Sequence, residues 1–188
     1  MIVFIDGLSG LGKTTLINNL LKDNPDWLVF KGLGAVNVAF KEEGQRYNFS
    51  KHQIISRLDE CNGFNKIILW DRGLSEPIYS ADAFYVSEIT RVIRSHYKAI
   101  AILLTTASSN DYAYLLNAKS NSGFTHKEGT LYADRWNKFN KVVSGMNHYR
   151  VDLNKDKQYL DDIEYKKIQE FIKDKLKTME ARSNYRNG

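Results

Sequence analysis

The first residues of the chain run from a short apolar segment through a glycine-rich segment into an amphipathic one. Residues 2–5 (Ile-Val-Phe-Ile) are typical of a buried parallel strand. The next segment fits the pattern G-x-x-x-x-G-K-[ST], whose fixed positions are Gly7, Gly12, Lys13 and Thr14. The helix predicted to follow has one apolar face, formed by Leu16, Ile17, Leu20 and Leu21. This order predicts a strand, a phosphate-binding loop and a helix.

The chemistry of this loop explains the residue types. Glycines let the backbone approach an anion and direct N–H groups at it, and the start of a helix adds the positive end of its dipole. The residues predicted to contact phosphate are Gly7, Ser9, Gly10, Leu11, Gly12, Lys13, Thr14 and Thr15. Lys13 is expected to reach the β- and γ-phosphates, and the Thr14 hydroxyl to ligate Mg²⁺. The sequence therefore predicts a nucleoside triphosphate site that uses magnesium.

Length and composition fit one enzyme-sized domain. We expect a single domain over 1–180 and a polar tail over 181–188, since 188 residues suffice for one substantial core. Cys61 is the only cysteine, which excludes an internal disulfide and favours a cytoplasmic location. No apolar run is as long as a membrane span, so no membrane partner is expected. The net charge of +5 is compatible with a polyanionic substrate, either a nucleotide or nucleic acid.

Apolar segments alternate with amphipathic ones along the chain, which is typical of βαβ units and a parallel sheet. After the first strand, the pattern predicts strands at 27–30, 67–70, 99–104 and 149–151. It predicts later helices at 49–61 (with Ser50 as N-cap), 80–97, 110–118, 130–146 and 160 to about 179. Residues 31–48 are expected to form a long, partly helical loop.

A second informative segment follows the strand predicted at 67–70. Asp71 and Arg72 come directly after it, and ligands of parallel sheets gather beyond the carboxyl ends of the strands. If this strand lies next to the first, Asp71 lies beside Lys13 and Thr14. A carboxylate there can hold Mg²⁺ or accept a proton from an attacking hydroxyl, and Arg72 can bind phosphate oxygens in two-point fashion.

With this segment, the chain resembles the thymidylate kinase and deoxynucleoside kinase superfamily of P-loop phosphotransferases. The residues that carry the resemblance are the phosphate-binding loop, Asp71-Arg72, Ser75, Tyr79 and the closing stretch 149–154. The resemblance implies a P-loop three-layer sandwich: a five-stranded parallel sheet, helices on both faces and a mobile lid near 119–129. It also implies transfer of the γ-phosphate of ATP to a nucleotide.

The chain departs from the family pattern in two places. Thymidylate kinases usually have an Arg-Glu-Pro-like segment after the second strand, and nucleoside kinases a glutamate that acts as base. Here residues 30–34 read Phe-Lys-Gly-Leu-Gly, which favours an acceptor that is already an anion, such as a monophosphate. The lid contains no arginine. Lys119, Lys127 and Arg135 are therefore the candidates to neutralise the transferring phosphate, and Arg135 is preferred for its fixed fork.

The acceptor site is predicted from fewer signals. Gln53 and Arg57 are one helical turn apart, so they can share a face, and Gln53 can present both a donor and an acceptor to a base. Ser75 and Tyr79 enter through the family pattern. These four residues are the predicted acceptor contacts.

Three functions fit the sequence, in decreasing order. The first is a deoxynucleoside monophosphate kinase. The second is a kinase that phosphorylates a hydroxyl of a nucleoside or of nucleic acid, with Asp71 as base. The third is a nucleotide-dependent switch, although Asn154-Lys155-Asp156-Lys157 places its aspartate one position too early for the guanine-reading pattern N-K-x-D. The sequence leaves open which base and sugar are accepted, whether ATP or GTP is the donor, and whether the protein is a homodimer or a monomer.

Overall fold

Five parallel strands form one sheet, as the alternating pattern and the resemblance predict. In the computed structural model the strands are β1 (Ile2–Gly7), β2 (Leu28–Lys31), β3 (Ile68–Asp71), β4 (Ala99–Thr106) and β5 (His148–Leu153). Their order across the sheet is β2-β3-β1-β4-β5. The first strand is therefore central, and its neighbours β3 and β4 come from much later in the chain.

Helices connect the strands. Those whose bounds lie within the described residues are α1 (Lys13–Asp23), α2 (Glu43–Cys61), α3 (Ala83–His96), α4 (Ser109–Ser120) and α5 (Asp162–Arg186). The structure describes residues 1–31, 43–61, 64, 66–72, 83–120, 133–134, 136–137 and 147–186. Within those ranges the chain has the α/β architecture expected of a P-loop kinase fold.

The direction of each connection decides which face its helix covers. The step from β1 to β2 crosses the sheet one way, and the steps from β2 to β3 and from β3 to β4 run the opposite way. Because parallel crossovers are right-handed, α1 covers one face, and α2 and α3 cover the other. The last helix joins α1: Tyr165 and Gln169 of α5 both donate hydrogen bonds to Asp23 Oδ2, at 2.9 and 3.0 Å.

The sheet core is apolar up to the edge where the site lies. Every residue of β1 and β4 is buried. On one face a row of rings crosses three strands: Trp70 stacks on Phe4 with centroids 5.3 Å apart and meets Phe30 at 5.9 Å. These three residues are register neighbours. The row fixes the three strands relative to one another, one residue before β3 ends at Asp71 and β2 at Lys31.

The structure corrects several element boundaries. Helix α2 begins at Glu43, so Ser50 lies inside it and is not its N-cap, and residues 43–48 are helical. Helix α4 extends to Ser120 and includes Lys119, the first residue of the predicted lid. The last helix runs to Arg186 and does not end near Met179. The rest of the predicted lid (121–129) lies outside the described residues, as does most of the helix predicted at 130–146.

Candidate active site

The glycine-rich segment forms the turn between β1 and α1. Gly7 has φ +146° and lies against β4, where a Cβ atom would be only 2.0 Å from the Leu104 carbonyl oxygen. The Leu8 N–H donates to that same oxygen at 3.2 Å. Gly12 is the N-cap of α1 with φ +87°, and no side chain caps the helix there. The N–H groups of the first turn are thus left for a ligand.

Lys13 is folded back over this loop. Its side chain is buried, and Nζ donates to the carbonyl oxygens of Gly7 at 2.9 Å and Leu8 at 2.7 Å. Burial lowers the pKa of Lys13 to about 8 against the opposing effect of Asp6, while Arg72 lowers it further and Asp71 raises it. These influences place both members of the Asp71-Arg72 pair within electrostatic reach of the ammonium group.

The threonines that follow Lys13 face outward. Thr14 and Thr15 are exposed at the start of α1, whereas Leu16 and Ile17 turn into the core. The Thr14 hydroxyl is therefore accessible at the end of the loop, where the sequence predicts a magnesium ligand. An exposed hydroxyl in the first turn of a helix can bind an ion or a phosphate oxygen without displacing any core contact.

Asp71 ends β3 next to β1. It is the register neighbour of Ile5, and the Arg72 N–H donates to the Ile5 carbonyl oxygen at 3.1 Å. Its Oδ1 atom is buried and has no hydrogen-bond partner among the described residues. A buried carboxylate oxygen without a partner costs free energy, which a cation bound at this point would recover. Arg72 is exposed and adopts φ +59°, an uncommon conformation for a residue other than glycine.

The residues present fit magnesium. Mg²⁺ keeps several water or phosphate ligands and takes only one or two from the protein, so a single carboxylate with a hydroxyl is enough. Asp71 Oδ1 is the orphaned oxygen and Thr14 the accessible hydroxyl. Within the described ranges no group of three or more histidine, cysteine or acidic side chains could hold a metal by itself. A site shared with phosphate oxygens is consistent with that finding.

Of the predicted acceptor contacts, the structure describes two. Arg57 of α2 donates from Nη1 to the Lys31 carbonyl oxygen at 3.0 Å, which brings its guanidinium to the end of β2. Lys31 is the register neighbour of Asp71. Gln53 lies one turn earlier on α2 and is half-buried. Arg57 therefore lies near the Asp71 edge. Ser75, Tyr79, Lys127 and Arg135 lie outside the described residues.

A cavity of about 460 Å³ adjoins the phosphate-binding loop. Gly10, Gly12 and Thr15 line one side, and the segment between β5 and α5 lines the other, with Gln158 and Tyr159 among its residues. It contains both apolar and hydrogen-bonding side chains, as ligand pockets do. Because Gly10 and Gly12 belong to the phosphate-binding loop, the cavity adjoins the place where phosphate is expected.

Sequence reasoning assigned no role to Asp6, and it considered the segment between β5 and α5 only for a guanine-reading pattern that residues 154–157 do not match. Asp6 is fully buried at the end of β1, where Oδ1 accepts a hydrogen bond from the Gly7 N–H at 2.8 Å. An acidic residue that continues an apolar run into a glycine loop was the available signal. The cavity wall gave no signal in the sequence, because it forms where distant segments pack together. Tyr165, for example, lies 142 residues from its hydrogen-bond partner Asp23.

Solved structures share the fold. A thymidylate kinase from Ehrlichia chaffeensis matches with a TM-score of 0.57 and 11% identity, covering 92% of this chain and 98% of that one. The YorR protein from Bacillus subtilis, in complex with phosphorylated GDP, matches at 0.56 with 16% identity, covering 92% and 96%. A deoxyadenosine kinase from M. mycoides with bound dATP matches at 0.55 with 16% identity, covering 92% and 99%.

These matches confirm the predicted resemblance at the level of the fold, which is that of the P-loop kinases. No family model matches the chain, and no curated protein matches its sequence. Among the described residues, no helix combines the length and apolar character needed to cross a membrane.

Proposed function

We propose that this protein is a magnesium-dependent phosphotransferase that transfers the γ-phosphate of ATP to a nucleotide, with a deoxynucleoside monophosphate as the favoured acceptor. The observation that carries the proposal is the pairing of β1 with β3. It brings the orphaned carboxylate oxygen of Asp71 to the phosphate-binding loop that holds Lys13. A cation, a carboxylate and free helix N–H groups at one edge are the parts that phosphoryl transfer needs.

Each residue has a distinct part in this proposal. The α1 N–H groups and Lys13 bind the phosphates, with Nζ exchanging its bonds to Gly7 and Leu8 for phosphate oxygens. Thr14 and Asp71 would hold Mg²⁺, which neutralises phosphate charge when bound. Arg72 is proposed to bind phosphate oxygens. Lys119, Lys127 and Arg135 keep their predicted role of neutralising the transferring group.

A cluster of positive charge supports an acceptor that is itself anionic. Lys31, Arg57 and Arg72 lie at or beside the ends of β2 and β3, around Asp71. A neutral hydroxyl acceptor needs a base and gains little from three cations. A monophosphate needs no base above its second pKa of roughly 6, and it interacts favourably with all three. The thymidylate and deoxyadenosine kinases that share the fold are consistent with either acceptor class.

The cavity beside the loop is proposed to hold the base and sugar of the donor. A nucleoside triphosphate whose phosphates lie on the loop must place its nucleoside within a short distance of Gly12. The cavity begins at Gly10 and Gly12 and extends along α1. It is large enough for a nucleoside and offers both apolar and polar walls.

Transfer of a labelled γ-phosphate from ATP tests the proposal. The acceptor panel consists of the deoxynucleoside monophosphates, the matching nucleosides and oligonucleotides with a free 5′ hydroxyl, each assayed at low and raised salt. We expect product only with a monophosphate and only with Mg²⁺. The Lys13→Ala variant is the negative control, and Lys66→Ala, an exposed lysine beyond the opposite ends of the strands, is the matched positive control.

The other outcomes separate the alternatives. Transfer to a nucleoside would favour Asp71 as base. Transfer to an oligonucleotide that weakens steeply with salt would indicate a nucleic-acid kinase, because phosphate contacts release counterions. Binding of ATP without transfer to any acceptor would favour the switch-like protein.

A further inference from the structure

The segment between β5 and α5 is held in one conformation by its own hydrogen bonds. Asn154 Oδ1 accepts from the N–H groups of Asp156 at 2.9 Å and Lys157 at 2.8 Å, and the Asn154 N–H donates to the Lys157 carbonyl oxygen at 3.1 Å. Gln158 Nε2 donates back to the Lys155 carbonyl oxygen at 3.1 Å. We call residues 154–161 the β5–α5 loop. The turn formed by Asn154 fixes the backbone of this loop where it leaves β5.

One carboxylate ties the same loop to the rest of the fold. Glu164, in the first turn of α5, accepts from Lys157 Nζ at 2.8 Å with Oε2 and from the Tyr149 hydroxyl at 2.6 Å with Oε1. Its own N–H donates to Asp161 Oδ1 at 2.7 Å, which caps the helix. Glu164 thus joins a strand, a loop and a helix, and its side chain is only 14% exposed.

The loop that Glu164 holds is the outer wall of the cavity beside the phosphate-binding loop. Gln158, Tyr159 and Leu160 line that cavity, facing Gly10 and Gly12. Lys157, the partner of Glu164, immediately precedes them in the chain. A shift of Lys157 would therefore move the wall directly, whereas the phosphate-binding loop has its own anchors in β1 and β4.

We propose that Glu164 is a positioning residue, which holds the β5–α5 loop in place to contact the nucleoside part of the triphosphate. This inference rests on the proposed function, because the cavity receives a nucleoside only if the adjoining loop binds its phosphates. Glu164 touches neither the phosphates nor the reacting atoms. Its contribution is to fix the geometry of residues that do contact the ligand, as supporting side chains around a binding site do.

The electrostatics agree with this arrangement. The Lys157 ammonium and then the Tyr149 hydroxyl lower the pKa of Glu164, so it is ionised at neutral pH. A glutamine there keeps the shape but carries no charge, and its amide nitrogen can donate only to the Tyr149 hydroxyl, which also accepts. Glu164→Gln therefore removes the ion pair with Lys157 without leaving a cavity.

Binding of two ligands distinguishes positioning from a general loss of structure. ATP has a nucleoside and inorganic tripolyphosphate has none, so only ATP depends on the cavity wall. With Mg²⁺ present, we expect Glu164→Gln to raise the Kd of ATP about tenfold while that of tripolyphosphate changes by less than about twofold. Glu170→Gln, an exposed glutamate on the same helix, is the matched control and should leave both unchanged.

Partner variants keep the test decisive if Glu164→Gln does not fold. Lys157→Met removes one link, and Tyr149→Phe removes the other while keeping the ring that packs on Phe171. Each variant should weaken the binding of ATP and leave that of tripolyphosphate nearly unchanged. The double variant Lys157→Met with Glu164→Gln should lose less ATP affinity than the sum of the two single losses. Equal weakening of both ligands, or no effect on ATP, would overturn the positioning role. Wild-type protein that binds ATP but transfers no phosphate would contradict the proposed function alone.

Discussion

At the scale of single residues, the site contains two polar groups that the described residues satisfy incompletely. Lys13 is buried with two backbone carbonyl oxygens as hydrogen-bond partners, and Asp71 Oδ1 has none among the described residues. Both arrangements cost free energy, since a buried charge is stable only when it is fully paired. Under the proposed function, Mg²⁺ would pair with Asp71, and phosphate oxygens would replace the carbonyl partners of Lys13.

The Lys13→Ala and Thr14→Ala variants should lose transfer by about 10²-fold or more, because charge neutralisation and positioning supply most of this catalysis. Neither side chain fills the apolar core, so both variants should remain folded, as circular dichroism can verify. Near-normal turnover by folded Lys13→Ala protein would refute the phosphotransferase proposal. Lys66→Ala is the control for the effect on transfer of losing a lysine outside the site.

Asp71→Asn separates a magnesium ligand from a base. With a monophosphate acceptor, we expect a raised magnesium requirement that higher Mg²⁺ partly rescues, and no new dependence on pH. With a hydroxyl acceptor, transfer should fall by about 10²–10⁴-fold, without rescue and with loss of the acidic limb of the rate profile. Measuring kcat against magnesium and pH for each acceptor decides between the two roles.

At the scale of elements, the approach of β1 to β4 shapes the phosphate-binding loop. The main chain of Gly7 lies against the Leu104 carbonyl with no space for a side chain, whereas nothing lies within 4 Å of where a Gly12 Cβ would be. The two glycines are therefore required for different reasons. Gly7 permits strand contact, and Gly12 permits the left-handed turn into α1.

Replacing each of these two glycines by alanine should lower stability by different amounts. Gly7→Ala forces the backbones of β1 and β4 apart, and it should lower the free energy of unfolding by about 3 kcal/mol or more. Gly12→Ala only strains a left-handed residue, for about 1–2 kcal/mol. Urea denaturation of both variants measures the difference. Equal losses would mean that the β1–β4 contact does not constrain Gly7.

What could be predicted from the sequence follows the distance over which each signal acts. β1, the loop and α1 are local and strongly patterned, so their positions and residues were predicted. Helix α2 begins at Glu43, before its predicted start. The prediction placed the start too late because residues 43–48 show no helical period. The link between Tyr149 and Glu164, and the cavity wall, arise where separate elements pack together. No local pattern specifies them.

At the scale of the whole molecule, the two ends of the chain meet on one face of the sheet. Asp23 at the end of α1 accepts hydrogen bonds from Tyr165 and Gln169 of α5, so the first and last helices pack as neighbours. The cavity lies along this contact and includes residues of both helices. The cavity proposed to hold the donor therefore depends on the packing of the same two helices that joins the first and last parts of the fold.

Stability should rise with pH through the range set by Lys13. Its pKa is about 8 in the fold against 10.5 for the free side chain, so the unfolded chain binds more protons between these values. The free energy of unfolding should gain about 1 kcal/mol per pH unit there relative to Lys13→Met. Because burial raises the pKa of the Cys61 thiol above its ordinary value of 9.0, this thiol makes stability fall as the pH rises through that range. Its effect is the same in both proteins and cancels in the comparison. Identical pH profiles for the two would contradict the lowered pKa.

The burial that lowers the pKa of Lys13 also couples the proposed binding of a nucleotide to proton uptake. Above pH 8 part of the ligand-free population carries a neutral amine, and a triphosphate that displaces the carbonyls stabilises the ammonium form. Binding then draws protons from the buffer. Calorimetric heats at pH 8.5 should differ between buffers of unlike ionisation enthalpy. Lys13→Arg, whose guanidinium keeps its charge, should show no such difference.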